Sequence, residues 1–188
     1  MAEKVRCAWV GSDPLYIRYH DEEWGVPVHE DRVHFEFLIL EGAQAGLSWL
    51  TVLKRRTGYN RIFKNFDPIK VAEFTEKDIE VALLDEGIIR NRLKVESAVK
   101  NAKVFLDIQK EFGSFDNYIW GYVGGKPIKN RWRDVSELPA TSNLSDEVSK
   151  DLKRRGMSFV GSTIIYAHLQ AAGIINDHTV DCFCYDGL

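Results

Sequence analysis

The amino-acid sequence predicts an all-α protein, and three observations support this fold class. Apolar residues recur at three- and four-residue steps along most of the chain, as they do on one face of a helix. No segment keeps the two-residue alternation of a half-buried strand, and residues that favour helix ends separate the periodic segments. With 188 residues, 45% of them hydrophobic, the chain is predicted to form one domain over 1–188, in which two helical lobes are possible. We expect about seven to nine short helices.

The first predicted helix begins near Asp31, and its apolar stripe comprises Phe35, Leu38, Ile39 and Gly42. Ser48 has the position of an N-cap for a second helix, which is predicted to run to about Asn65. Asp67 precedes Pro68. A cap residue followed by proline at the first helical position predicts a third helix start.

Thr75 can cap the next helix, which is predicted to stop at Gly87 and whose apolar face comprises Ile79, Ala82 and Leu83. A longer helix is predicted over 91–112, again from three- and four-residue apolar steps. Ser114 and Ser145 have the surroundings of further helix caps.

The last long helix is predicted over 161–172 and ends at Gly173. Before it, 121–143 is the longest irregular connection, rich in glycine, proline and polar residues. The most apolar long stretch, 159–175, contains serine, threonine, histidine and glutamine. It therefore indicates a buried helix rather than a membrane span.

The composition limits the class of protein. Charged residues make up 28% of the chain beside the large hydrophobic fraction, which excludes a disordered chain. Three cysteines, an odd number, argue against a disulfide framework and favour a reducing compartment. The first residues lack the apolar run of a signal peptide. We therefore expect a soluble, cytoplasmic protein without a membrane partner.

The net charge of −3 argues mildly against a general nucleic-acid coat, but it averages over all faces of the molecule. Basic residues are bunched at 54–56, 90–94, 126–133 and 153–155. Any one bunch is more often a solvated helix end, whereas several on one face would bind phosphates.

Two pairs of metal-ligand residues lie far apart in the sequence. Cys7 and His20 have the spacing C-x12-H, and after 157 further residues His178 and Cys182 have the spacing H-x3-C. Two thiolates and two imidazoles suit a closed tetrahedral zinc site, which would join the two ends of the fold. On spacing alone, free buried thiols and surface histidines are the more common explanation.

The stretch 83–92 reads as a helix end, a tight turn and a new helix with basic residues. Backbone N–H groups at such a turn can hold a phosphate without reading bases. An ordinary helix–helix turn explains this stretch equally well.

Several longer motifs then occur in order: CAW at 7–9, DPLY at 13–16, YHDEEWG at 19–25, LEGAQAGLSW at 40–49, GIIR at 87–90, KRRG at 153–156, FVG at 159–161 and NDH at 176–178 with Cys182. Together they resemble the 3-methyladenine DNA glycosylase I family across residues 7–185. The resemblance implies the helix-hairpin-helix glycosylase superfold and one structural zinc ion. It assigns the zinc ligands to Cys7, His20, His178 and Cys182, and takes Cys184, whose spacing also allows ligation, as a non-ligand.

By the same resemblance, Glu41, Tyr16 and Trp49 line the pocket for the flipped base, with Trp9, Tyr19 and Trp24 close by. Each aromatic residue could instead serve core packing alone. Glu41 lies between apolar neighbours, where a buried charge is costly unless it is paired. Its expected role is to accept a hydrogen bond from the adenine amine and to complement the positive charge of the methylated base.

The implied function is excision of N3-methyladenine from alkylated double-stranded DNA by a monofunctional glycosylase, which releases the free base and has no lyase lysine. The family suggests a monomer. Because the cationic base leaves as a neutral molecule, little acid catalysis is needed, and no aspartate in the chain matches the one that many glycosylases of this superfold use. Binding and desolvation of the cation would supply the rate enhancement, and water would attack the sugar.

The predicted DNA contacts lie in two places. The hairpin residues Gly87, Ile88, Ile89, Arg90 and Arg92 are expected at phosphates, and Gln44 with Leu47 at the gap left by the flipped base. Leu47 could equally belong to the core. Ile89 departs from the general motif, which has a second glycine there, so the backbone contacts of this turn stay open.

Three other functions compete with this interpretation. A catalytic zinc hydrolase is disfavoured because four protein ligands leave no position for water. A damage-binding module that does not cut would have a similar sequence. A zinc-stabilised helical interaction domain would not need the pocket residues.

Overall fold

The structure is a computed structural model that describes residues 4–187, and these residues are mostly helical, as the apolar periodicity predicts. The described α-helices are α1 (Pro14–Glu22), α2 (Asp31–Gln44), α3 (Trp49–Leu53), α4 (Arg56–Ile62), α5 (Pro68–Ala72), α6 (Glu76–Leu84), α7 (Arg92–Phe112), α8 (Phe115–Gly121), α9 (Asn143–Arg155) and α10 (Ser162–Ala171). Short 3-10 helices span Ala8–Val10, Lys64–Phe66 and Val135–Glu137. Two short strands, β1 (Ile128–Lys129) and β2 (Ile175–Asn176), pair in parallel with Ile128 opposite Ile175. None of the helices within residues 4–187 combines the length and the apolar character that crossing a membrane requires.

Side-chain hydrogen bonds confirm most of the predicted helix starts. The capping side chain accepts a backbone N–H of the first turn at Ser48, Asp67, Thr75, Asn91 and Ser114. The prediction for Ser145 is wrong, because the N-cap of α9 is Ser142. Ser145 lies at the third helical position, where its hydroxyl accepts the Ser142 N–H at 2.8 Å. Serines at both ends of a reciprocal capping box look alike in the sequence.

The segment after Ser48 forms two helices instead of the single one predicted, which is one reason why the structure has more helices than expected. Arg55, with φ −104° and ψ 1°, leaves helical geometry between α3 and α4. Both helices face the same core, so the apolar spacing continues across the bend. The chain then makes a left-handed turn, with φ from 54° to 57°, at Lys64, Asn65 and Phe66.

Helix α2 runs through the core and packs against α3, α7, α8 and α10. Its side chains are buried over almost the whole circumference, including Phe35 and Leu40, which are fully inaccessible to solvent. A helix that is buried all round takes its polar residues inside with it. Glu41, in the last turn of α2, is therefore buried as well.

Helices α6 and α7 form a hairpin through the turn 85–91. Helix α6 ends at Leu84, so Gly87 lies inside the turn and not at the helix end where it was expected. Helix α4 packs against the backbone of this turn through Gly58. A Cβ on Gly58 would lie 2.1 Å from the carbonyl oxygen of Gly87, so no side chain fits between the two segments.

Candidate functional site

A cavity of about 190 Å³ brings the predicted pocket residues together. It is lined by Trp9, Tyr16, Tyr19, Trp24, Glu41, Gln44, Trp49, Leu138, Ala167 and Gln170. The ring centroids of Trp9 lie 5.0 Å from Tyr16 and 4.9 Å from Trp24, and those of Tyr19 and Trp49 are 5.4 Å apart. All five aromatic residues and Glu41 therefore surround one space.

Local structure explains how distant segments reach this cavity. Tyr16 and Tyr19 are three residues apart on α1, which places both rings on one face of the helix. Trp49 is the first residue of α3, directly after the capping Ser48. Trp9 belongs to the 3-10 turn that follows Cys7.

Glu41 is the unusual polar group of the cavity. Its side chain is 3% exposed, and its Oε2 atom has no hydrogen-bond partner among residues 4–187. Burial raises the pKa of the Glu41 carboxyl to about 8, and no neighbouring cation opposes this shift. The Nε1 donor of Trp49 is likewise buried without a partner in the described part of the chain. One acceptor and one donor thus remain for a ligand in an aromatic cavity.

Three lining residues were missed by the sequence analysis: Leu138, Ala167 and Gln170. Leu138 belongs to the irregular connection 121–143, and the other two lie on α10. No local signal marks them, because only tertiary packing places α10 and this connection beside α1 and α2.

Asp177 was also missed as a supporting residue, although it lies in one of the quoted motifs. Its carboxylate is 1% exposed and accepts hydrogen bonds from Asn130 and Trp132 on one oxygen, and from Tyr166 and Gln170 on the other. This hub holds Gln170 at the cavity wall and connects α10 to the irregular connection.

A second cavity of about 200 Å³ adjoins the first and shares Glu41, Gln44 and Ala167 with it. Leu47 lines this second cavity and is 39% exposed, so it is not part of the core. Gln44 ends α2, and Leu47 lies in the turn that follows. Both predicted wedge residues therefore stand at the rim of the pocket.

The hairpin residues have different surroundings. Ile88 is buried, the Gly87 N–H donates to the Asp85 carboxylate at 2.7 Å, and the Ile89 N–H donates to the Tyr59 hydroxyl at 3.2 Å. Arg90 is exposed. Within residues 4–187, the backbone amides without a hydrogen-bond partner in this turn and the start of α7 are those of Glu86, Arg90, Arg92 and Leu93, of which the last three lie at the start of α7 or just before it.

The basic side chains at the hairpin and at the end of α9 are less available than the sequence indicates. The Arg92 guanidinium contacts three carboxylates, those of Glu76, Glu80 and Glu96. At the end of α9, Arg154 pairs with Asp151, and Arg155 pairs with both Asp151 and Glu111. Much of the charge of these two basic bunches is thus compensated within the protein.

The four predicted metal ligands converge. The ligand atoms of Cys7, His20, His178 and Cys182 all lie within 4.8 Å of one another, and all four residues are buried. Distances of 3.5 Å separate Cys7 Sγ from His178 Nδ1, and Cys182 Sγ from both His178 Nδ1 and His20 Nε2. This group could hold a metal ion.

The outer nitrogens of both histidines are already engaged. His20 Nδ1 lies 2.9 Å from Asp21 Oδ1, and His178 Nε2 lies 3.0 Å from the carbonyl oxygen of Trp24. Each imidazole therefore turns its other nitrogen towards the thiols, as metal-binding histidines do. Burial lowers the pKa of His178 to about 4 and raises that of Cys7 to about 11, so a thiolate there needs a cation beside it.

Cys184 is buried as well. It lies near His20 and Asp21, but it is not a member of the four-residue group. The geometry thus brings Cys182, and not Cys184, together with Cys7 and both histidines.

The cluster and the pocket share a wall. The Trp24 ring packs edge-on against His178, with centroids 4.6 Å apart, and also against Trp9. The ring of His20 lies 5.3 Å from that of Trp9. Of the three tryptophans that line the cavity, Trp9 and Trp24 thus pack directly against the two histidines.

Known proteins match the chain along nearly its whole length. The family model described as methyladenine glycosylase matches residues 9–185. DNA-3-methyladenine glycosylase 1 of Escherichia coli (strain K12) is 47% identical over 182 residues, which cover 97% of both chains. A crystal structure of 3-methyladenine DNA glycosylase I is similar with a TM-score of 0.94 at 46% identity, covering 96% of this chain and 100% of that one. A tyrosine-to-phenylalanine variant of 3-methyladenine DNA glycosylase I in complex with 3-methyladenine has a TM-score of 0.93 at 37% identity, covering 96% of this chain and 97% of its own.

Proposed function

The chain belongs to the methyladenine glycosylase family, and we propose on this basis that it excises 3-methyladenine from alkylated DNA at the pocket around Glu41. It is a DNA glycosylase of base-excision repair. The observation that carries the site assignment is the buried carboxylate of Glu41, which has no cation beside it in the aromatic cavity. A cationic purine supplies the missing charge.

The cavity has the chemistry that such a base requires. Aromatic faces attract a flat cation, and stacking of one base on aromatic side chains is worth about 1–3 kcal/mol. Glu41 Oε2 can accept from the exocyclic amine, and Trp49 Nε1 can donate to a ring nitrogen. An adenine without the methyl group carries no charge and gains less from Glu41.

The reaction needs little acid catalysis. Methylation at N3 makes the base of the nucleotide cationic, so the base leaves as a neutral molecule when the bond between the sugar C1′ and N9 breaks. The bonding electron pair stays with the base. The oxygen of a water molecule then bonds to the cationic C1′, and the water loses a proton to solvent, which leaves a neutral sugar hydroxyl. Glu41 and the aromatic walls hold the base out of the helix, in surroundings without water, and the reaction has no covalent enzyme intermediate.

We propose that the hairpin of α6 and α7 is the DNA anchor of a helix-hairpin-helix glycosylase acting on double-stranded DNA. The unpartnered amides of Arg90, Arg92 and Leu93, together with the exposed Arg90 side chain, support phosphate binding there. Gln44 and Leu47, which line the cavity beside this pocket, would fill the gap in the duplex. Arg92 contributes through its backbone, because its side chain faces three glutamates.

We further propose that the buried four-residue group holds one zinc ion. The donor set is two sulfurs and two nitrogens, and their separations of 3.5 Å are close to the sulfur–nitrogen edge of about 3.6 Å in a tetrahedral zinc site. A bound zinc ion would cross-link the two ends of the described chain. With four protein ligands it has no open position, so its role is structural.

The pocket is complete within one chain, which supports a single domain that acts as a monomer. A non-cutting damage-binding module is the second candidate, because it would need the same pocket. A catalytic zinc site is disfavoured because the closed ligand set leaves no position for water.

Chromatography of the bases released from N-methylated duplex DNA tests the proposed function. We expect free 3-methyladenine from the wild type and about 100-fold less from Glu41→Ala, while Glu73→Ala, which changes an exposed glutamate, keeps the wild-type rate. Binding to methylated DNA without release of any base would favour the damage-binding module. Release at an unchanged rate by Glu41→Gln would remove Glu41 from the mechanism.

A further inference from the structure

Lys94 joins two parts of the molecule that the proposed function uses separately. It is the third residue of α7, directly after the hairpin turn. Its Nζ atom donates to the carbonyl oxygens of Ala43 and Ala45, at 2.8 Å each. Ala43 lies in the last turn of α2, and Ala45 is the C-cap of that helix. One side chain thus links the start of α7 to the end of α2.

The bonding of Lys94 is unusual for a lysine. Its side chain is half-buried, and burial lowers the pKa of its ammonium group, with no carboxylate acting against this shift. The last carbonyl groups of a helix have no partner within the helix, and they lie at its negative end. The ammonium satisfies two such carbonyls at once. Lysines are seldom buried without such compensation.

Both ends of this link carry candidate functional groups. On the α2 side, Glu41 lies in the same helical turn as Ala43, and the rim residues Gln44 and Leu47 follow directly. On the α7 side, the exposed Arg90 side chain and the unpartnered amides of Arg90, Arg92 and Leu93 lie within four residues of Lys94. The two hydrogen bonds of Lys94 therefore connect the segment proposed to bind phosphates with the segment proposed to contact the base.

Resting on the proposed function, we propose that Lys94 is a positioning residue that keeps the segment 41–49 in register with DNA phosphates held by the hairpin. It does not touch the base or the sugar. Its effect is to place Glu41, Gln44 and Leu47 at the correct distance from the anchored backbone. A misplacement of about 1 Å can reduce a rate by about 100-fold.

Lys94→Met tests this role, because it keeps an apolar side chain and removes the Nζ atom that donates both hydrogen bonds. Lys103→Met is the matched control, since Lys103 is exposed on the same helix and its side chain makes no hydrogen bond within residues 4–187. Four quantities are measured for each variant: the thermal midpoint, the affinity for free 3-methyladenine, the affinity for duplex DNA and the single-turnover rate of base release at saturating enzyme.

We expect Lys94→Met to release base about tenfold more slowly or worse than Lys103→Met, while both keep the affinity for the free base and for duplex DNA within about twofold. Lys94→Arg retains charge and donors and should recover most of the rate. Parallel losses of stability, free-base affinity and rate would show a merely structural role and overturn the proposal, as would a rate equal to that of the control.

Should Lys94→Met fail to fold, Lys94→Gln replaces it, because its neutral amide is too short to reach both carbonyls. The wild-type protein separates the two proposals. If it releases no base, the proposed function fails. If it releases base and the Lys94 variants do so at the same rate, only the role of Lys94 fails.

Discussion

Glu41 lowers the stability of the ligand-free protein above acidic pH. Its carboxyl is buried without a partner, and its pKa is raised to about 8 from an ordinary value of 4.5. The folded state therefore binds a proton more tightly than the unfolded state does. As the pH rises from 4.5 to 8, the unfolded chain loses this proton first, so the free energy of unfolding falls across that interval.

We predict that Glu41→Gln removes this loss of stability. Urea denaturation of the wild type and the variant at pH 5 and pH 9 should show the difference in unfolding free energy changing by about 4 kcal/mol in favour of the variant at the higher pH. Taking the difference cancels the pH-dependent contributions of the histidines and of the proposed metal ligands, which both proteins share. A difference that does not depend on pH would mean that Glu41 titrates near its ordinary pKa.

At the level of single residues, sequence patterns identified the aromatic and acidic residues of the pocket better than the residues that complete or support its wall. Five aromatic residues and Glu41 fall within recognisable motifs, and the structure brings them together. Leu138 and Gln170 lie in segments whose local sequence says nothing about a pocket. Asp177 stands in a quoted motif, yet its four hydrogen bonds depend on Asn130, Trp132, Tyr166 and Gln170, residues up to 47 positions away.

Among the elements, the contact between α4 and the hairpin admits no side chain. We predict that Gly58→Ala destabilises the protein by about 3 kcal/mol, because its Cβ would overlap the Gly87 backbone. Displacement of the turn should also weaken binding to duplex DNA. Thermal unfolding and fluorescence anisotropy measure the two effects.

Gly121→Ala is the control for that change, since a Cβ on this helical glycine meets nothing within 4 Å. It should leave stability unchanged or slightly raised, because alanine favours helices. Equal effects of the two substitutions would show that the close contact at Gly58 is absent in solution.

Helix starts were predictable where one side chain caps one helix, as at Ser48 and Asn91. They were less so where two serines form a reciprocal box, as at Ser142 and Ser145. The bend at Arg55 was not predictable from the sequence. A non-helical backbone conformation at one residue does not alter the spacing of apolar residues on either side. Element type followed from local periodicity, whereas breaks within an element followed from tertiary packing.

At the scale of the whole molecule, the buried four-residue group predicts that two neighbouring cysteines respond differently to substitution. Cys182→Ser should lose zinc and lower the thermal midpoint by about 10 °C or more, whereas Cys184→Ser should keep about one zinc ion per chain. Elemental analysis and calorimetry measure these outcomes. Equal zinc content in the two variants would contradict the ligand assignment.

The overall architecture was predictable in kind from helical periodicity, whereas the meeting of its distant parts followed only from the family resemblance. Helical periodicity indicated an all-α chain, and the structure is mostly helical. Spacing alone favoured unrelated roles for Cys7 and His178 over a shared zinc site, because no local rule connects positions 171 residues apart. The structure brings them together, and it makes Trp24 a shared wall between the metal group and the pocket.

This meeting of distant residues also determines when the protein can mature on a ribosome. At about 5–20 residues per second, His178 is made roughly 8 to 30 s after His20, since 157 residues separate them. The ribosome makes Trp9, Tyr16 and Trp24 early. His178, which packs against Trp24 in this pocket wall, is made much later. The nascent chain therefore exposes an aromatic surface and a free thiol during nearly all of its synthesis, and the pocket forms only when the final segment joins it.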